Sequence, residues 1–322
     1  MIQLSSSVRS LLALVLAVSP ACRDAGGDAG GDPPPAGAAA TNRPAFRAER
    51  AGEYLRSQVA FGPRVPGTGG HARQLEWMRS FLKERADTVI DQPFTHTTKA
   101  GETLRLTNLF ARFRPELQDR VLLVAHWDTR PTSDQSANPA DRKRPVPGAN
   151  DGASGVAVLM ELANLFRENP PPIGVDLLLV DGEDYGPTGD DMYLGARHFA
   201  ANPPPGYRPF YGIVVDMVGD RSPRFPIEQY SQEMAPEVVQ RVWGVARELG
   251  YGDIFVDSPG IYVEDDHVPL NKGGIRTIDI IDFDYGPGNR YWHTPQDVVE
   301  NTSPESLRIV GEVLAELVYR GG

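Results

Sequence analysis

The chain has 322 residues and a formal net charge of −11; 40% of its residues are hydrophobic and 23% are charged. That is enough chain for one large α/β domain, with the ordinary composition of a folded globular protein. The acidic balance argues against a sequence-independent nucleic-acid binder, which needs basic patches to displace counterions, and the single cysteine, Cys22, excludes an internal disulfide and a thiolate zinc site.

In chain order, Arg9 precedes the apolar run Leu11 to Val18, and Ser19-Pro20-Ala21 supplies small residues before Cys22. This is the pattern of an export signal over residues 1–22, too short to span a bilayer. Cys22 stands where a lipoprotein carries its lipid, although Ser19 occupies the usual leucine position; an ordinary cleaved signal is the alternative. The expected location is periplasmic, extracellular or lipid-anchored in the cell envelope, with the membrane touched only through Cys22. Residues 23–43 are rich in Gly, Pro, Ala and Asp, bury too little surface to fold and read as a disordered linker. One domain is expected over 44–322.

Within it, Ala45 to Ala60 and His71 to Arg85 read as helices around the turn segment Phe61 to Gly67. Thr88 to Phe94 and Leu104 to Phe113 read as strands. The short apolar runs Val121 to Ala125, Val175 to Val180 and Gly212 to Val215 suit buried central strands. Gly155 to Phe166 and Pro236 to Leu249 carry helical spacing, Ile275 to Ile281 is a strand, and Ser303-Pro304 opens a last helix as N-cap and first residue. Helices alternating with buried strands predict an α/β fold: a mostly parallel sheet covered on both faces, with its site at the carboxyl ends of the strands.

Those strand ends carry metal-competent residues. His126 and Asp128, two apart in an extended segment, can face one site, Asp128 orienting the imidazole; a surface pair is the alternative. Asp151, in Gly148-Ala149-Asn150-Asp151-Gly152, lies at a strand-to-helix junction where it can reach a cation or cap the helix. Glu183 and Asp184 follow a buried strand. Two adjacent carboxylates are costly there unless a metal takes one and leaves the other as proton carrier; a solvated acidic turn is the other reading. Asp216 sits inside an apolar run and needs a partner. His293 follows a Gly-rich loop, and His267 lies in the acidic stretch Glu264 to His267. His71, His96 and His198 read as structural or exposed. No Gly-x-Ser-x-Gly elbow, phosphate loop or dinucleotide loop follows a strand. A site of oxygens and imidazoles fits zinc, with cobalt or manganese as substitutes.

Taken together, His126-x-Asp128, Asp151, Glu183-Asp184, Asp216 and His293 resemble metallopeptidase family M28 across residues 45 to 320. Four segments are similar to the glutaminyl-peptide cyclotransferases of that family: Phe61 to Gly67, Tyr193 to His198, Glu264 to Pro269 and Trp292 to Thr294. The resemblance implies a single-domain mixed sheet of the zinc aminopeptidase and phosphorylase/hydrolase type, and one zinc held by Asp151, Asp184 and His293. It further implies Glu183 as acid/base, Asp216 and Asp265 as supporting carboxylates alongside Asp128, and Trp292 with His267 on the substrate side. Two departures stand out: Asp184 replaces a commoner Glu, and no aromatic lies between Tyr185 and Met192 where animal cyclases place a second tryptophan.

Two activities share these residues. The first is cyclisation of N-terminal glutamine to pyroglutamate with release of ammonia, using one zinc. The second is aminopeptidase hydrolysis with two, His126 and Asp216 holding the second ion and Asp151 bridging. A non-catalytic binding module on the same fold is a third reading. The expected partners are peptide or protein N-termini, with no nucleic acid, and the protein is expected to be a monomer.

Overall fold

The computed structural model describes residues 43–322. The expected export signal of residues 1–22, and the linker up to residue 42, lie outside the described residues.

Helices α1 (Ala48–Ala60) and α2 (Gly69–Lys83) precede an antiparallel ribbon of β1 (Thr88–Thr97) and β2 (Thr103–Phe113). Strands and helices then alternate through β3 (Arg120–His126), α3 (Ser154–Glu168), β4 (Gly174–Val180), α4 (Leu194–Ala201) and β5 (Gly212–Asp216). The remainder is β6 (Phe225–Ile227), α5 (Gln229–Met234), α6 (Pro236–Glu248), β7 (Phe255–Pro259), α7 (His267–Lys272), β8 (Thr277–Ile281) and α8 (Pro304–Tyr319). Ser303 caps α8 as expected, accepting the Glu305 amide at 3.2 Å.

Six strands form one sheet in the order β1-β2-β4-β3-β5-β8. The β4-β3, β3-β5 and β5-β8 pairs are parallel, and β1-β2 and β2-β4 are antiparallel. The sheet is therefore mixed and mostly parallel, as the alternation predicts. The central strands are apolar along their whole length because both faces are covered. Leu123, Ala125, Leu177 and Leu179 enter the large core shared with α1, α3, α6 and α8. Their alternate neighbours Leu122, Val124, Leu178 and Val180 enter a second core with Phe199 of α4 and Leu270 of α7. Since β3, β4, β5 and β8 run the same way, His126, Val180, Asp216 and Ile281 end at one edge. That edge is where the polar residues gather.

Candidate metal centre

Above the carboxyl edge lies a pocket of about 270 Å³. Its floor is Asp151, Glu183, Asp184, Asp216, Asp265 and His293, and its walls include Met217, Ile281, Phe283 and Trp292. Trp292 stacks on His293 with ring centroids 3.8 Å apart and leans on Phe283 at 4.8 Å. Every one of the floor residues is buried.

Two sets of ligand-competent atoms meet at Asp151. In one, His293 Nε2 lies 3.3 Å from Asp184 Oδ1 and 3.6 Å from Asp151 Oδ2. These gaps are near the ~3.3 Å that separates two ligands of a tetrahedral zinc with bonds of about 2.0–2.1 Å. In the other, His126 Nε2 is 3.0 Å from Asp216 Oδ1 and 3.2 Å from Asp151 Oδ1, hydrogen-bond length. The His126 Nε2 hydrogen bond goes to Asp216, with Asp151 beside it. Asp184 Oδ1 accepts from Arg130 Nη1 at 2.7 Å, whereas the buried Asp184 Oδ2 has no partner. A buried carboxylate oxygen left bare is the atom a cation would satisfy. The residues fit a zinc ion on donor chemistry, on spacing and on this orphaned oxygen.

The backbone carrying these side chains is gripped from below. Both oxygens of the buried Asp128 accept main-chain amides, from Glu183 at 3.0 Å and Asp184 at 3.2 Å. Asp297 does the same for the other turn, accepting from Asn150 at 2.7 Å and Asp151 at 3.2 Å. Arg64, fully buried, donates to the carbonyls of Pro147 and Gly148. The turn is tight enough to require glycine at two places. Gly148 and Gly152 both have positive φ, and a Cβ on Gly152 would sit 2.3 Å from the Asp128 carbonyl. A second chain of charges brackets the His293 and Asp184 side chains. Arg130 binds Asp134 through Nε and Nη2, and Asp134 faces His293 Nδ1 at 3.5 Å, the side of the ring that a ligand histidine presents to a supporting carboxylate.

The field of the site is anionic. Burial opposes the charging of His126, but the carboxylates of Asp216, Asp128 and Asp151 outweigh it and hold its pKa well above the usual value. His293 is pushed up to about 9, with burial again overcome, here by Asp184, Asp134 and Asp151. Burial raises the Glu183 carboxyl well above the ordinary range. Burial likewise lifts Asp216 to about 7. Both imidazoles are drawn toward the cationic form, the response of a cluster with room for more positive charge.

Several sequence expectations are corrected. Asp151 does not cap α3: the N-cap is Ala153 and no side chain caps that end. Glu183 and Asp184 form no solvated turn, being 7% and 2% exposed. Asp128 is fully buried with both oxygens on main-chain amides, so it acts as a support: it positions the Glu183-Asp184 turn and also lies 3.6 Å from His126 Nδ1, the orienting place expected of it. His267 cannot bind substrate. It is fully buried at the start of α7, with Nε2 3.1 Å from Glu228, and does not line the pocket. Of the histidines read as structural or exposed, His71 is buried, stacks on Trp127 at 4.3 Å and reaches Asp181 at 2.8 Å. Four residues escaped the sequence reading: Arg64, Arg130, Asp134 and Asp297. Their only signal was a charge inside a motif or within eight residues of one.

The model of peptidase family M28 matches residues 108–318. A Zn-dependent exopeptidase from Parabacteroides distasonis superposes with a TM-score of 0.83 at 40% identity, covering 86% of this chain and 99% of that one. The glutaminyl cyclase of Tannerella forsythia gives a TM-score of 0.82, also at 40% identity and with the same coverage. Aminopeptidase YwaD of Bacillus subtilis is 26% identical over 215 residues, 62% of this chain, and the chain spans 41% of that protein's length.

Proposed function

We propose that this chain, which belongs to peptidase family M28, a family of zinc enzymes, is a glutaminyl-peptide cyclotransferase that uses one zinc. Asp151, Asp184 and His293 would hold the ion, which when bound polarises the γ-carbonyl of an N-terminal glutamine. The α-amino nitrogen attacks that γ-carbon, closing a five-membered lactam as the carbon–nitrogen bond to the departing ammonia breaks. Glu183 accepts the proton lost by the attacking amine and returns it to the leaving nitrogen. Asp216 and Asp265 support it from the same pocket, and Trp292 walls the glutamine side chain.

One observation carries the single-metal reading. The buried carboxylate oxygen left without a partner, Asp184 Oδ2, belongs to the Asp151-Asp184-His293 set, whereas in the other set His126 is hydrogen-bonded to Asp216 at 3.0 Å. The test is metal content per chain measured beside two assays, ammonia release from Gln-initiated peptides and hydrolysis of aminoacyl-nitroanilides. One zinc with ammonia release supports the cyclase, and a protein that releases no ammonia overturns it.

The aminopeptidase reading is favoured by a different observation. His126, Asp151 and Asp216 each offer an atom within 4.8 Å of the others, a complete second ligand set. Two tightly held zinc ions with nitroanilide cleavage would establish it. The non-catalytic reading would return only if Glu183→Gln left every activity unchanged. The substrate under either enzymatic reading is a peptide or protein N-terminus. Export rests on residues 1–22, and labelled-palmitate incorporation distinguishes a lipid on Cys22 from an ordinary cleaved signal.

A further inference from the structure

One wall of the pocket carries an unused hydroxyl. Tyr193 is the N-cap of α4, at the end of the loop that follows Asp184, and it lines the pocket. The residue is 7% exposed and takes a φ of 58°, backbone that a bulky side chain seldom adopts. Such backbone persists where the surroundings over-determine it, and here the fastening is to the acid/base residue. The Tyr193 amide donates to the Glu183 carbonyl at 2.8 Å, and the Leu194 amide to the Gly182 carbonyl at 3.0 Å.

The Tyr193 hydroxyl has no hydrogen-bond partner among the described residues. Burial raises its pKa, and the charges of Glu183, Asp265 and Glu264 raise it further, so the phenol stays protonated within the field of these pocket carboxylates. It is a donor in a pocket short of donors. The ionised carboxylates only accept. Arg130 is committed to Asp134 and Asp184, and the Tyr262 hydroxyl donates to Glu233. Of the lining side chains that leaves the Tyr193 hydroxyl and the Trp292 indole, and Trp292 lies over His293 on the metal side.

We infer that the Tyr193 hydroxyl is a further catalytic residue, donating a hydrogen bond to the carbonyl oxygen of the substrate's first peptide bond. The inference rests on the cyclase reading. In that reading the γ-carbonyl oxygen goes to the metal and the α-amine to Glu183. The first peptide carbonyl shares the α-carbon with that amine, so it arrives beside Glu183, where Tyr193 is fastened, as the acceptor still without a donor. Ring closure needs the amine turned toward the γ-carbon, and a bond to the neighbouring carbonyl fixes that rotation.

The test pairs two substrates on the zinc-loaded full chain: glutamine amide, and γ-aminovaleramide of the same configuration, in which a methyl group replaces the substituent that bears the carbonyl. Both close to a lactam with release of ammonia, read as kcat/KM. Tyr193→Phe removes the hydroxyl alone, with its melting curve and zinc content as checks on fold and metal. The wild-type preference for glutamine amide over γ-aminovaleramide should fall by about tenfold in this variant, the effect of losing one hydrogen bond to a group then left unpaired. Tyr193→Asn, which suits left-handed backbone and is too short to reach, is the second variant and should show the same fall. An unchanged preference in a folded, zinc-loaded variant overturns the assignment. Absence of ammonia from both substrates with the wild type overturns the cyclase reading instead. The affinities of the two amides for Glu183→Gln with and without Tyr193→Phe, read by titration calorimetry, then decide the hydroxyl by the same ratio.

Discussion

Arg64 is the side chain whose loss should be felt most without touching a reacting atom. It has no exposed surface, and its guanidinium holds the carbonyls of Pro147 and Gly148 at the entrance to the turn that delivers Asp151. Burial lowers its pKa to about 10, opposed by the charges of Asp297, Asp128 and Asp151, so it stays cationic at neutral pH. Replacing it with methionine keeps most of the volume and removes the charge and both hydrogen bonds. Charge-assisted bonds contribute about 1.5–3 kcal/mol each. Set against the desolvation that the buried cation itself costs, the net loss should be about 3–5 kcal/mol, the range for breaking a buried ionic set. Urea unfolding of metal-stripped Arg64→Met beside the wild type, followed by tryptophan fluorescence, measures this directly. Adding zinc should widen the gap, since its ligand Asp151 rides on this turn and the wild type would bind the ion more tightly than the variant. A metal-stripped variant within about 1 kcal/mol of the wild type would show that Arg64 is not what holds the turn.

Removal of zinc by a chelator should abolish ammonia release, and one equivalent per chain should restore it; a requirement for two would shift the assignment to the aminopeptidase. Glu183→Gln should lower turnover by a factor of about 100 to 10,000 with zinc still bound at one per chain, as read by metal analysis. Asp134→Asn should weaken zinc affinity by about 10–100-fold in chelator competition, because it loosens both Arg130 and the His293 ring; an unchanged affinity would remove Asp134 from the support of the metal.

The long elements were legible because their burial is written in period. Val121 to Ala125 and Val175 to Val180 are covered on both faces and read as unbroken apolar runs, and α3 and α8 pack broad apolar faces. The three-residue β6, the five-residue β7, the six-residue α5 and α7 and the eight-residue α4 were not predicted. Segments this short carry little period; α5 is capped locally by the buried Glu228, which accepts the Tyr230 and Ser231 amides, and the same carboxylate ties in the distant Val263 amide. In the site, the side chains that face the pocket were found, because several carboxylates after buried strands have no other inexpensive explanation. The grip that some of them exert on backbone was not read: Asp297 was missed, and Asp128 was read only for its place beside His126. Asp128 and Asp297 bind amides, and an amide leaves no mark on sequence. His267 followed the acidic run Glu264 to Asp266 by position, yet the start of α7 carries its ring inward to Glu228. Nor does sequence reveal that Tyr193, Met217 and His293, three non-glycine residues of the pocket lining, take positive φ. Such backbone persists where the surroundings over-determine it, as they do at functional sites.

The paired grips of Asp128 and Asp297 separate two kinds of information. Each fixes a turn through main-chain amides, which every residue except proline supplies alike, so the architecture of the turn is indifferent to the side chain it displays. Position 184 can therefore carry either carboxylate, aspartate or glutamate, and the scaffold beneath need not be renegotiated. The same indifference makes positions 151 and 184 the natural sockets for redesign. Donor atoms can be exchanged there to retune metal preference while the frame that aims them stays as it is.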